Sequence, residues 1–405
     1  MNNGFTCRSC GHGGGESVID LGMQPLANNL LTAADLEQTE PRFPLEVFVC
    51  PACWMMQITE TVPPVELFSD YVYFSSFSDA MLEHARLAVE SHEQEFDLDG
   101  ESHVVEIASN DGYLLRNFVA KGIPCLGIEP ARNIAAVAEE RGVPTLTEFF
   151  TLALAKEQQP ADLILGNNVF AHVPEPNDFV AGLAAMLKPS GRIVLEFPYA
   201  VKLLADLEFD TIYHEHVFYF TLTALRPLFE RHGLEIFRVR EQPIHGGSLR
   251  LLAGHKGEHE IDSSVPTTLE QETALGVNST EYYRTFASRV GELRGQLRDE
   301  LERLRDAGKR VAAYGASAKG STLLNYYGLT ADDLEFVADR SPHKQGRLTP
   351  GSHIPIVPAE ELLTRQADYA LLLAWNFADE ILLQQQSYRD AGGCFILPLP
   401  EVKIV

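Results

Sequence analysis

Apolar runs broken by short polar turns are densest over residues 104–129. Val104-Val105-Glu106-Ile107 favours a strand, and the small-residue turn Ala108-Ser109-Asn110-Asp111-Gly112 breaks it. A helical period runs from Tyr113 to Ala120, then a second apolar run, Cys125-Leu126-Gly127-Ile128, ends at Glu129. Short β-type runs separated by a helical period predict a βαβ unit with parallel strands. The pattern continues with Ala161 to Gly166, ending in Asn167 and Asn168, and with Arg192 to Phe197 after the turn-like Pro189-Ser190-Gly191. Parallel strands gather their carboxyl ends at one edge, so residues 108–112, Glu129, Asn167, Asn168 and Phe197 to Tyr199 should meet in one crevice. Polar, aperiodic sequence over residues 254–279 reads as a linker or surface excursion. A helix is expected from Thr280 to Ala307, ending at Gly308. A strand at residues 310–314, a small-residue loop, a helix start and a strand over Leu334 to Ala338 ending at Asp339 then repeat the αβ design.

The first turn supplies chemistry. An acid at the end of the second strand of a βαβ unit is placed to accept hydrogen bonds from ribose hydroxyls, which is the role expected of Glu129. Three spaced glycines are missing, so no backbone nest for a pyrophosphate is expected there. That favours S-adenosylmethionine over NAD, held by Glu106, Ala108, Ser109, Asn110, Gly112, Glu129, Asn167 and Asn168. An ordinary αβ crossover turn is the alternative. In the later αβ unit, Ser317, Lys319 and Ser321 at a helix start suggest a diphosphate cradle, against the alternative of a solvated lysine.

Cysteine spacing changes the picture at the N-terminal end. Cys7 and Cys10, then Cys50 and Cys53, form two Cys-x-x-Cys knuckles that can close a four-sulfur site suited to zinc. Four protein ligands leave no open position for substrate, so the zinc is expected to be structural. A disulfide pairing is the alternative, disfavoured in a reducing compartment. Fifty-seven acidic against 32 basic residues give a formal charge of −25, which opposes nucleic acid and anionic membranes as partners. No basic-then-apolar leader and no apolar run near the ~20 residues of a membrane span occur, and cytoplasmic residence is the expectation. No surplus apolar stripe points to an oligomer, and a monomer is expected.

The stretch Tyr213-His214-Glu215-His216 packs two imidazoles, a carboxylate and a phenol into four residues. Such groups are costly to bury unpaired, so they are expected to line a cavity, where an imidazole can take a proton and a carboxylate can fix its tautomer. Two other readings stand beside this one: His214 and His216 sharing one face of a strand as metal ligands, and a solvated turn. His245 before Gly246 and Gly247 allows close backbone approach to a substrate, or an ordinary turn.

Taken together, the two knuckles, Glu106 to Gly112, Asn167-Asn168-Val169-Phe170-Ala171-His172, Tyr213 to His216, His245 to Gly247 and Tyr314 to Lys319 resemble the S-adenosylmethionine-dependent sugar C-methyltransferases acting on nucleotide-linked 4-keto-deoxysugars. The resemblance spans essentially the whole chain. It implies an α/β protein with a zinc-binding lobe over residues 1–75, a central Rossmann-like methyltransferase domain over 76–255, and a C-terminal Rossmann-like αβ domain for the nucleotide sugar over 256–405. It implies a dTDP-linked substrate, methylated beside its ketone at C3. His216 would then be the base, with Glu215 orienting it. Tyr213 and His172 would bond the enolate or sugar, and Tyr71 or Tyr73 would close the site, unless those tyrosines merely pack. Substrate contacts are expected from Tyr199, His245, Gly246, Ser317, Lys319 and Asn325. A heteroatom methyltransferase and a non-catalytic zinc-knuckle binding protein are the rival expectations.

Overall fold

The computed structural model describes residues 4–68, 74–77 and 79–405, without the side chains of residues 77, 79, 80 and 245. Near the N-terminal end, β1 (Glu16–Gln24), β2 (Phe43–Val49) and β3 (Met56–Ile58) form an antiparallel meander. The helix Asp79–Phe96 leads on to β4 (Val104–Ile107), β5 (Cys125–Ile128), β6 (Thr145–Leu146), β7 (Ala161–Asn167) and β8 (Leu187–Pro198), all parallel. β4 is buried at all four positions, as a central parallel strand covered on both faces must be.

The two-residue strand β9 (Phe218–Tyr219) does not join the parallel sheet. It pairs with β3 and completes the N-terminal sheet in the order β1-β2-β3-β9. β10 (Leu234–Gln242) and β11 (Ser248–His255) return antiparallel to close the large sheet as β10-β11-β8-β7-β4-β5-β6. Strand order reverses between β4 and β7, which opens a crevice at their carboxyl ends. A third sheet holds β12 (Val311–Tyr314), β13 (Val337–Asp339), β14 (Ile356–Pro358), β15 (Tyr369–Leu372), β16 (Cys394–Leu397) and β17 (Lys403–Ile404), in the order β14-β13-β12-β15-β16-β17.

Several expectations are corrected. Residues 254–279 are no linker: β11 runs to His255 and a helix spans Ser264–Leu275. Its principal anchor is polar, because the fully buried Glu272 carboxylate accepts from the Leu222 and Thr223 amides and from the Tyr199 hydroxyl, each at 2.7 Å. Pro189-Ser190-Gly191 lies inside β8 rather than in a turn, and the register against β7 slips there. The helix expected over residues 280–307 is two, Thr280–Arg284 and Phe286–Asp306, parted at Thr285. Leu334 to Phe336 precede β13 instead of belonging to it. No described helix is long and apolar enough to cross a membrane.

Candidate active site

The two knuckles fold alike. The Gly11 amide donates to the Cys7 carbonyl and the Trp54 amide to the Cys50 carbonyl, both at 2.8 Å, with Gly11 and Trp54 in the left-handed region at φ 75° and 63°. This brings all four sulfurs within 4.8 Å of one another. Cys7 and Cys53 are 3.6 Å apart, as are Cys10 and Cys50. Those separations are close to the tetrahedral edge of about 3.8 Å that Zn–S bonds of about 2.3 Å require, and far beyond a disulfide bond. All four cysteines are unbridged, so the donor set fits a closed structural zinc site. The thiols act on one another in opposite senses, Cys7 lowered and Cys50 and Cys53 raised, so the sulfurs titrate as one set rather than singly. Among the described residues no other group of His, Cys, Asp or Glu is arranged for a metal.

The turn after β4 is held in costly backbone conformations. Ala108, Asn110 and Gly112 all take positive φ, at 54°, 49° and 74°. Neighbours sustain the strain. Glu129 accepts the Asn110 amide at 3.0 Å and the Ala131 amide at 2.9 Å, while Asn110 Oδ1 accepts the Ser75 amide at 2.9 Å. Arg141 donates to the buried Asp111 carboxylate at 2.7 Å, and Ser76 donates to it as well. Gly127 is required opposite the turn, since a Cβ there would lie 2.3 Å from Ser109 Oγ. The two amides occupy two of the roughly four acceptor positions on the Glu129 carboxylate, which leaves one on each oxygen for a diol.

Buried polar atoms without hydrogen-bond partners mark the same crevice: both Glu106 oxygens, Ser109 Oγ, Asp111 Oδ1 and Asn168 Oδ1. Burial, then the charges of Glu129 and Asp111, pushes the Glu106 carboxyl well above its ordinary value. Asn168 has φ 53° and its amide is tied to the Glu196 carbonyl at 2.7 Å, directly after Asn167 ends β7. Orphaned donors and acceptors around a diol-ready acid, with no anion nest, fit S-adenosylmethionine.

The Tyr213 to His216 stretch follows the turn Phe209–Thr211 and leads straight into β9. His216 Nδ1 lies 2.8 Å from the Thr211 carbonyl, and Nε2 lies 2.8 Å from the Tyr213 hydroxyl. A carbonyl only accepts, so Nδ1 carries the hydrogen and Nε2 of the neutral ring is the basic atom. His172, in the turn Phe170–His172 after β7, meets the His216 ring edge-on at 4.7 Å. Burial drives His172 down to about 4 and keeps it neutral. Its ring also bonds the Glu215 backbone carbonyl, and its Nδ1 is buried without a partner. The Glu215 carboxylate accepts from Asn28 Nδ2 at 2.6 Å. His214 points elsewhere, with Nε2 3.3 Å from the Pro44 carbonyl. The two histidines therefore share no strand face, and the reading of them as a metal pair falls.

A charged cluster from the third sheet's side abuts this turn. Lys319 Nζ sits 4.7 Å from the Trp375 ring centroid and is buried without a hydrogen-bond partner, while Trp375 Nε1 donates to Asp210 Oδ2 at 2.7 Å. Burial raises Glu208 to about 7 and Asp210 to about 6, and Lys319 pulls both back down. Gly246, at φ 90°, closes over Glu208, where a Cβ would come 2.3 Å from its Oε1. Ser317 caps its helix by accepting the Gly320 amide at 3.1 Å. Two expected residues are engaged otherwise. Asn325 Nδ2 donates to the Ser321 and Pro350 carbonyls, and the Tyr199 hydroxyl is spent on Glu272. Tyr71, Tyr73 and the His245 side chain lie outside the described residues. Sequence reasoning missed Asn28, Glu208, Asp210 and Trp375 as site residues. Asp210 was within reach, being an acid beside the Tyr213 stretch, but Asn28 and Trp375 carry no local signal.

Strand order and crevice together define an S-adenosylmethionine-dependent methyltransferase fold with a zinc lobe attached. Comparison with known proteins gives the family. A domain model named for zinc binding matches residues 7–68, a methyltransferase domain matches 81–239, and a C-methyltransferase C-terminal domain matches 243–400. The chain is 39% identical to the C-methyltransferase NovU of Streptomyces niveus over 404 residues, covering 98% of this chain and 96% of that one. An uncharacterized methyltransferase of Mycobacterium ulcerans is 28% identical over 97 residues, 23% of this chain and 38% of that one. Among solved structures, magnesium protoporphyrin IX methyltransferase of Synechocystis PCC 6803 with bound S-adenosylmethionine matches at 17% identity and a TM-score of 0.34, over 46% of this chain and 86% of that one. The chain belongs to the C-methyltransferase family. Its cofactors are S-adenosylmethionine and, at the four cysteines, zinc.

Proposed function

We propose that this enzyme methylates a carbon next to the ketone of a dTDP-linked 4-keto-deoxysugar, at C3, and that His216 removes the proton from that carbon. The observation that carries this reading is the pair of hydrogen bonds on His216, which put the ring hydrogen on Nδ1 and leave the Nε2 lone pair against the Tyr213 hydroxyl, with the His172 ring 4.7 Å away. A hydrogen beside a ketone is acidic enough for a positioned imidazole to take. S-adenosylmethionine, when bound, supplies an electrophilic methyl group. His216 Nε2 accepts the carbon-bound proton, and Thr211 holds the other face of the ring so that the imidazolium keeps its orientation. Tyr213 stands beside His216 Nε2, its phenol able to donate to a ketone oxygen as it becomes an enolate, and Glu215 is assigned to orienting the base. With the proton held on His216, the same residues would present the enolate carbon to the methyl group that the bound cofactor would supply.

Lys319 and the helix start at Ser317 support a place for the substrate diphosphate, since Lys319 is a buried ammonium without a hydrogen-bond acceptor. Asn325 and Tyr199 are not assigned substrate contacts in this reading. The test is mass spectrometry of products after incubation with S-adenosylmethionine and dTDP-4-keto-6-deoxyglucose in deuterated water. A gain of one methyl with loss of one exchangeable carbon-bound hydrogen supports the reading. Methylation of an oxygen or nitrogen, or neither change in protein that binds both ligands, overturns it.

A further inference from the structure

We propose that Asn28, a residue of the zinc lobe, is a positioning residue for Glu215, so that the lobe forms part of the catalytic apparatus. The inference rests on the reading of Glu215 and His216 given above. Asn28 sits in a turn just after β1, closed by the Asn29 amide on the Leu26 carbonyl at 3.1 Å and the Leu30 amide on the Asn28 carbonyl at 2.9 Å. The next residues are pinned in turn, because Leu31 exchanges backbone hydrogen bonds with Leu348 at 3.0 and 2.8 Å. The turn is therefore fixed from both sides, and it delivers Asn28 Nδ2 to within 2.6 Å of Glu215 Oε1, across 187 residues of sequence.

The chemistry of that contact has one sense. A carboxylate accepts and an amide oxygen accepts, so only the Asn28 NH2 can face Glu215, and the bond favours the ionised, fixed carboxylate. Glu215 is 5% exposed, so losing this donor would loosen the hold on a buried carboxyl. The carboxyl's displacement would be felt by the ring chemistry on either side, since the Glu215 carbonyl bonds His172 and its chain neighbour is His216. Among the described residues, the titratable groups nearest it in the chain are Tyr213, His214 and His216, and His172 meets its backbone from the turn after β7.

A second link ties the lobe to the same place. Gln57 Nε2 donates to Cys7 Sγ at 3.2 Å, and Gln57 in β3 pairs with Phe218 in β9, two residues after His216. The Ile58 amide also donates to the Val217 carbonyl at 2.9 Å. Sulfur cluster, β3 and the segment leaving His216 are thus one hydrogen-bonded chain.

The experiment compares wild type, Asn28→Ala and Asn28→Asp for deuterium exchange and methylation of dTDP-4-keto-6-deoxyglucose from pH 5.5 to 9, with zinc content and Tm read for each. Asn28→Ala is expected to lower kcat by about 10- to 100-fold, the usual cost of an orienting partner, with both KM values within about twofold of wild type. In the isosteric Asn28→Asp, two carboxylates at this distance share one proton. Its activity should approach wild type at low pH, where the shared proton replaces the amide, and decline as pH rises while wild type does not. Asn28→Ala within twofold of wild type overturns the proposal. So does an Asn28→Asp profile parallel to wild type at reduced height, which is the mark of a merely structural role. If Asn28→Ala fails to fold, the Asn28→Asp profile alone decides. A wild-type enzyme that neither exchanges nor methylates this sugar overturns the functional reading, and the inference falls with it.

Discussion

The Tyr213 hydroxyl donates to His216 Nε2 at 2.8 Å, and the direction of that bond is set on the far side of the ring, where Nδ1 must give its hydrogen to the Thr211 carbonyl. The pair thus holds a base whose lone pair is occupied until a substrate arrives. Substitution of His216 by Asn should lower exchange of the carbon-bound proton by about 10² to 10⁴, the scale of lost general-base catalysis. Tyr213→Phe, which keeps the base, should cost less, about 10- to 100-fold. Deuterium incorporation read by mass spectrometry checks both. Equal losses in the two variants would show that the phenol carries the proton rather than guarding it.

Glu129 offers a test on the cofactor side. Its two oxygens already accept the Asn110 and Ala131 amides, so Glu129→Gln keeps the shape but turns one oxygen into a donor facing a backbone amide. A charge-assisted hydrogen bond is worth about 1.5–3 kcal/mol, and each 1.4 kcal/mol is about tenfold. The Kd for S-adenosylmethionine should rise roughly 10- to 100-fold, and that for S-adenosylhomocysteine by the same factor, because the ribose is common to both. Calorimetry with the two ligands checks this, and a loss confined to one of them would place Glu129 away from the ribose.

Zinc should be stoichiometric and structural. Cys53→Ser removes a buried ligand from a four-sulfur set whose members lie within 4.8 Å, and metal binding at such sites is coupled to folding. One zinc per chain in wild type and none in the variant is the expected elemental analysis. Proteolysis should then release the segment holding β1 to β3 first, since that sheet is what the knuckles hold in place. A variant that loses zinc but keeps the wild-type digestion pattern would contradict this.

Much of this was legible in sequence, and the exceptions share a cause. Val104 to Ile107 announced its strand because both its faces are covered, Cys125 to Ile128 because its apolar run ends in two buried positions, and four cysteines at fixed spacing announced a metal. The Ser264–Leu275 helix was not legible because its anchor is Glu272, a carboxylate where an apolar stripe is normally read. Pro189-Ser190-Gly191 has turn composition but is held as strand by its neighbours. In the site, His172 and His216 were readable as chemistry within short motifs. Asn28, 187 residues from Glu215, and Trp375, 165 from Asp210, act through contacts that only the folded chain creates.

Substrate affinity should depend on pH through Glu208. Its carboxyl is raised to about 7 by burial, so above that pH it is ionised, competing for Lys319 and repelling a diphosphate. Below about 7 it takes a proton, and its charge no longer offsets that of Lys319 or repels the ligand. The Kd for dTDP-glucose, whose diphosphate diester does not titrate in this range, should therefore increase from pH 6 to pH 8.5. Glu208→Gln should bind at every pH as wild type does at pH 6. Calorimetry across that range decides, and a flat wild-type profile would separate Glu208 from the diphosphate.

His92 makes a stability prediction with the opposite dependence on acid. It is buried in the helix Asp79–Phe96, stacked on Phe96 at 5.4 Å, with Nδ1 unpartnered, and burial and then the Arg250 charge lower it to about 3. Arg250 is itself paired with the buried Glu196, which His84 also meets at 2.8 Å, so the surroundings are fully committed before His92 could be charged. In the unfolded chain His92 binds a proton near its ordinary 6.5. Between there and about 3 the unfolded state holds more protons, and stability contributed by this residue is lost as pH falls. From pH 6.5 to 4.5 the loss approaches 2–3 kcal/mol, at about 1.36 kcal/mol per unit. Raised carboxyls such as Glu106 act in the other sense over the same range, so the readout has to be a difference between proteins. Urea midpoints of wild type and His92→Gln should run parallel above pH 6.5 and diverge below it, with the variant gaining on wild type. Parallel midpoints down to pH 4.5 would mean that the folded protein lets His92 charge, through solvent entering beneath the helix.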